Sequence, residues 1–185
     1  MNNRVDMDVR SGFAGDVGGP VTEAVMYHRI VAAKVRAVFA EINKGNYEPM
    51  LASLAPEFSY RFYGSHALSG ERRTAAAMRL WWERVFRLIP DARFEVDEVI
   101  VAGGPWFTRI ATVAHVSGPL PDGTRYENTV NQILHMRWGK ITKIRTLEDT
   151  VTLQRALDAV AVAGNAEAHA APITDDSAAQ ESVTS

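Results

Sequence analysis

"ENTVNQILHMRWGKITKIRTLED" spans Glu127–Asp149 and reads as two strands joined by a tight turn at Trp138-Gly139-Lys140. Counted alternately, one face of the first strand holds Asn128, Val130, Gln132, Leu134, Met136 and Trp138. The matching face of the second holds Thr142, Ile144, Thr146 and Glu148. This face is mostly apolar, yet it carries amides and a carboxylate. Burying such a group unpaired costs about 1–3 kcal/mol or more. A closed core would leave Gln132 and Glu148 out; a cavity would use them.

Period-two patterning extends upstream from this hairpin. "ARFEVDEVIVAG" and "WFTRIATVAHVSG" read as two further strands, with turns at Gly103-Gly104-Pro105 and Pro121-Asp122-Gly123. Before Ala92 the period is helical. Val31, Val35, Val38, Phe39 and Ile42 recur along one helix that Thr22 can cap and Gly45 can stop. Asn46 caps a short second helix through Met50 and Leu54, and "EFSYRFYG" is a short strand. A third helix from about Glu71 carries Met78, Trp82, Val85, Phe86 and Ile89 on one face and ends at Pro90. Thr150 caps a last helix with Leu153, Leu157 and Val160. Helices followed by an antiparallel meander make an α+β pattern of one domain, with a natural pocket between the layers. The small, polar composition of residues 1–21 and 164–185 reads as two disordered tails around a folded domain at 22–163.

The 185 residues carry a formal net charge of −2, which gives no electrostatic case for nucleic acid or an anionic membrane as a partner. There is no cysteine, which removes disulfides and thiol chemistry and fits a cytoplasmic protein. No apolar run approaches the roughly 18–20 residues that span a bilayer. No histidine pair has a metal-ligand spacing, so the reading predicts no metal and no other cofactor.

"FYGSHALSG", "EINKGNYEPMLASLAPEF" and "ILHMRWGKITKIRTLED" together resemble the nuclear-transport-factor-like superfamily, and within it the SnoaL-like proteins. The likeness covers roughly residues 25 to 160. It implies a cone-shaped, curved antiparallel sheet wrapped around the N-terminal helices, a cystatin-like α+β barrel. It also implies chemistry on small apolar oxygenated molecules: polyketide cyclisation, epoxide opening, dehydration or ketosteroid isomerisation. The catalytic sets known in the family do not carry over. The two ketosteroid isomerase carboxylate positions hold Arg61 and Leu134 here. The limonene epoxide hydrolase set keeps Arg109 but has Ala111 and Thr146 where its aspartates stand. The cyclase aspartate falls at Gln132 or Leu134. Tyr27 and His28 resemble part of the scytalone dehydratase set, without its aspartate.

The residues offer their own candidates. Glu148, at the end of an apolar face, is a candidate acid or base, with Arg109 to orient an oxygen and His66 in a loop at the pocket rim. Tyr63, Trp82, His115, Asn128, Gln132 and Thr146 are candidates for substrate binding, His115 because it shares strand parity with Arg109. For each there is a plainer structural role: a strand-end charge, an outward arginine, a core aromatic. Two functions follow: a cofactor-independent acid–base enzyme, or a non-catalytic binding or assembly module of the same fold. The alternating apolar residues of "RFEVDEVIVA" point to a homodimer through the outer face of the sheet.

Overall fold

The computed structural model describes residues 20–184, with side chains for 23–179. Five helices and six strands follow in order. They are α1 (Pro20–Ile42), α2 (Glu48–Ser53), β1 (Leu54–Phe62), β2 (Gly70–Arg72), α3 (Ala75–Leu88), β3 (Arg93–Gly104), β4 (Phe107–Pro119), β5 (Arg125–Arg137), β6 (Lys140–Leu147), α4 (Thr150–Val162) and α5 (Asp175–Thr184). The strands form one open sheet in the order β2-β1-β6-β5-β4-β3. β3 to β6 are the antiparallel meander read from the sequence, while β1 lies parallel to β6. The sheet is therefore mixed and not closed, and α1 lies along β3. The architecture is the cone-like α+β fold.

Local chemistry explains the elements. Thr74 starts α3 by accepting from the Ala77 amide at 3.3 Å, three residues later than the sequence reading placed it. Met78, Trp81, Trp82, Val85 and Leu88 then form its buried stripe. Asp149, not Thr150, caps α4 through the Val151 and Thr152 amides. Along β5, Tyr126, Asn128, Val130, Leu134 and Met136 are buried, alternating with exposed Glu127, Thr129, Asn131 and Ile133. The register of β6 shifts at one point: His135 pairs with Lys143 but Met136 pairs with Ile141. Thr142 is the extra residue of this bulge, and its hydroxyl donates to the His135 carbonyl at 3.3 Å. The inner row of β6 is thus Ile141, Ile144, Thr146 and Glu148, and Thr142 drops out of it. Trp138 also leaves the inner face. It sits with Gly139 in the turn, both at positive φ (50° and 78°), as a two-residue hairpin turn demands, and is 73% exposed.

Two readings are corrected. The alternating apolar residues of β3 do not form an outer face: Phe94, Val99 and Val101 pack onto the core, leaving Ile100 exposed. The segment after residue 163, expected as a tail, has described structure up to Thr184. A 3₁₀ turn, Ala166–His169, and α5 lie against α3. Ile173 and Ala178 are buried with Ala77 and Leu80, and Asp175 accepts from the Arg73 and Thr74 amides and the Thr74 hydroxyl. Glu167 accepts from Arg84 at 3.0 Å and Arg87 at 2.8 Å, which holds its carboxyl down at about 2. Composition misled here because a few small apolar residues suffice when a preformed helix offers the groove. The expected N-terminal tail, residues 1–21, lies outside the described residues apart from the first turn of α1.

Candidate functional site

The concave face of the sheet, α1 and α3 enclose a cavity of about 240 Å³. Its wall is mostly apolar, built from side chains such as Val31, Phe39, Trp82, Ile110, Leu134 and Ile144. Strand alternation places three polar side chains of the opening hairpin in that wall: Gln132, Thr146 and Glu148. Tyr60 of β1 and Tyr126 of β5 join them. Gln132, Thr146 and Glu148 thus line a cavity, not a closed core.

They form two hydrogen-bonded strings. In the first, the Tyr126 phenol donates to Glu148 Oε2 at 2.8 Å, and Asn128 Nδ2 donates to the Tyr126 oxygen at 3.2 Å. Asn128 also donates to the Asp149 carbonyl at 2.9 Å and accepts from the Thr129 and Asp149 amides. It fixes the sheet to the start of α4 and holds the phenol; its own amide is used up. In the second, Gln132 Nε2 donates to the Thr146 hydroxyl at 3.1 Å, which donates to the Tyr60 oxygen at 3.3 Å.

Burial sets the electrostatics. Removal from water pushes the Glu148 carboxyl up to about 7, opposed by the Tyr126 hydrogen bond and helped by the neighbouring charge of Asp149. Tyr60 is pushed up to about 12, and Tyr126 is raised by burial and by facing Glu148. Both phenols are therefore donors at neutral pH, and Glu148 is present in both protonation states. A carboxyl near 7 can take a proton and return it without a large energetic penalty in either direction.

Of the residues singled out from the sequence, Glu148, Gln132, Thr146 and Trp82 meet at the cavity. Asn128 is buried just behind it, supporting Tyr126. The others do not take part. Arg109 points outward because it lies between the inward residues Thr108 and Ile110; it stacks over Phe107 and contacts His135. His115 shares that outward parity, pairing across strands with Glu95 and Thr129. His66 is buried beside Phe62, faces a separate crevice near Ser69 and His169, and is lowered by desolvation. Tyr63 is exposed under the Arg61 guanidinium. Tyr27 is the exception: it lines the cavity, with its hydroxyl bonded to Thr108, while His28 is bonded to the Gly103 carbonyl. The reading of the sequence passed over Tyr126, although it lies two residues before Asn128 on the same alternation.

A family model, the SnoaL-like domain, matches residues 35–144. Solved structures share the fold. TerC co-crystallised with polyporic acid is 19% identical, with a TM-score of 0.60, over 69% of this chain and 97% of that one. IdmH from Streptomyces antibioticus, a candidate polyketide cyclase, is 19% identical, with a TM-score of 0.57, over 69% and 97%. An NTF2-like protein from Burkholderia xenovorans is 23% identical, with a TM-score of 0.52, over 68% and 93%. At these identities the likeness speaks for the fold alone. A comparison with curated proteins finds no significant match. Among the described residues no helix is long and apolar enough to cross a membrane. With more than half of its length matched by the family model, the chain belongs to the SnoaL-like domain family.

Proposed function

We propose that this protein binds a small, largely apolar, oxygenated molecule in the cavity and moves a proton on it with Glu148. One observation carries the reading: a carboxyl raised to about 7 stands in an apolar wall with a phenol donating to it at 2.8 Å. The proton step needs no cofactor. Glu148 takes a proton from a carbon or hydroxyl of the ligand and returns it, and Tyr126 holds the carboxylate form by donating to it. Gln132 has a carbonyl oxygen available to accept from a ligand hydroxyl, and Tyr60 closes the second string. The relatives' names, a candidate polyketide cyclase and a protein crystallised with polyporic acid, support an oxygenated ring compound as the ligand class. The reaction is then an isomerisation, cyclisation, dehydration or epoxide opening. The convex face, with Ile100 and Ile133 exposed, is left for pairing of two copies.

The test is a panel of cyclic ketones, terpenoid epoxides and aromatic polyketides. Binding is read by tryptophan fluorescence and turnover by mass and isomer analysis. Trp81 and Trp82 line the cavity, whereas Trp106 and Trp138 are exposed and can be silenced with iodide. The expected result is a saturable change from the buried pair, and a product whose rate falls about 10²–10⁴-fold in Glu148→Gln. Saturable binding with unchanged ligand across the panel would make the protein a binding module instead. Absence of any binding would remove the cavity reading.

A further inference from the structure

The cavity has unlike ends. Glu148 and Tyr126 stand where β6 leaves the sheet and β5 enters it. At the other end of those strands the wall includes Pro105, Gly139 and Ser53, with Ile30 and Lys34 of α1. Ile30, Lys34 and Gly139 are exposed, which opens the cavity to solvent as a mouth on this side, whereas Glu148 is half-buried. From Ile141 to Glu148 is a run of seven residues, about 23 Å at roughly 3.3 Å each.

The mouth is cationic. Lys34 is among its lining residues and is exposed. Nearby, Lys140 donates to the Ala52 carbonyl at 2.7 Å and Arg137 to the Trp106 carbonyl at 3.4 Å. Among the described residues none of these three cations forms an ion pair with a carboxylate, whereas Arg73, Arg79, Arg84, Arg87 and Arg125 all do. The acidic group of the cavity is at the opposite end. A ligand with an anionic terminus has one sensible orientation in such a field. Entering head first would strip the anion of water and set it against Glu148. Entering tail first leaves it half-hydrated at the rim, facing Lys34.

We propose that the cavity takes an elongated apolar carboxylic acid, its carboxylate held at the mouth by Lys34 and its apolar body directed toward Glu148. This rests on the reading of the cavity as a ligand site and narrows its substrate class. It also assigns the reacting position: the end of the molecule remote from the carboxylate. Lys34 is then a specificity residue, not a catalytic one.

The experiment uses displacement of the neutral fluorescent probe N-phenyl-1-naphthylamine from the full chain at pH 8 and low salt. The competitors are dodecanoate and its methyl ester, which share a body shorter, when extended, than the cavity run. Dodecanoate is expected to displace the probe at about fivefold lower concentration than the ester, the size of a rim ion pair. The preference disappears in Lys34→Gln, survives in Lys34→Arg, and shrinks as salt is raised. Equal displacement by acid and ester, or a preference unchanged in Lys34→Gln, would overturn the proposal. So would a probe that binds but resists dodecanoate, and in that case the cavity reading stands. A probe that does not bind at all would remove both.

Discussion

Glu148→Gln is expected to make the protein more stable, and only at neutral to alkaline pH. The folded carboxyl titrates at about 7 and an unhindered one at 4.5. Between those values the folded chain binds more protons than the unfolded one, so stability contributed by the neutral form is complete below about 4.5 and is lost as pH rises through 7. The difference of about 2.5 pKa units corresponds to roughly 3 kcal/mol at pH 8 and to less than about 1 kcal/mol at pH 5. Glutamine keeps the shape and still accepts from Tyr126, but never acquires the charge. Thermal unfolding of the variant against the wild-type chain should show a gain of about 5–10 °C at pH 8 and almost none at pH 5. An equal shift at both pH values would mean that the side chain is hydrated and its charge free. Under the proposed proton-transfer role the same variant should also lose activity, so a stabilising change that removes activity is the expected signature of a desolvated functional carboxyl.

The second large effect concerns the C-terminal segment. Ending the chain after residue 163 removes Ile173 and Ala178 from the groove beside Ala77, takes Asp175 from the start of α3, and leaves Arg84 without Glu167. A buried isoleucine contributes about 1.5–3 kcal/mol, a helix cap about 1 kcal/mol, and a part-buried ion pair of this kind of the order of 1 kcal/mol. The truncated chain should unfold about 8–15 °C lower, a loss of roughly 3–5 kcal/mol. A change of less than about 2 °C would show that the segment does not hold α3 in solution. Because α3 supplies Trp81, Trp82 and Val85 to the cavity wall, ligand affinity should fall with stability.

Much of this molecule was legible in its sequence, and the losses have physical causes. The meander, the α+β order and the inward row of β5 follow from alternation, which a sheet covered on one face enforces. The same alternation put Gln132, Thr146 and Glu148 together before any contact was known. The β6 bulge broke the count at Thr142, because one inserted residue is silent in composition but shifts every side chain before it. Arg109 and His115 were judged by chemical type; parity assigned both to the outer face, opposite Thr108 and Ile110. Tyr126 was missed because a lone tyrosine near a turn looks like any strand residue. Its role depends on Glu148, 22 residues away, and on the twist that brings them together. Lys34 could not be read at all, since an exposed helix lysine acquires meaning only from the mouth beside it. The C-terminal segment shows the limit of composition: Asp175 and Glu167 bind specific groups on α3 that no local pattern announces.

Glu148, as proposed, is an acid–base group held near neutrality by an apolar cavity. The measurement that reaches it most directly is the pH titration of the Glu148 side-chain carboxyl by carbon-13 NMR, assigned by its absence in Glu148→Gln. The expected midpoint is near 7, moving higher in Tyr126→Phe because the hydrogen bond that favours the carboxylate is gone. A midpoint near 4.5 in the wild-type chain, unmoved by Tyr126→Phe, would contradict it: the carboxylate would be an ordinary hydrated strand-end charge.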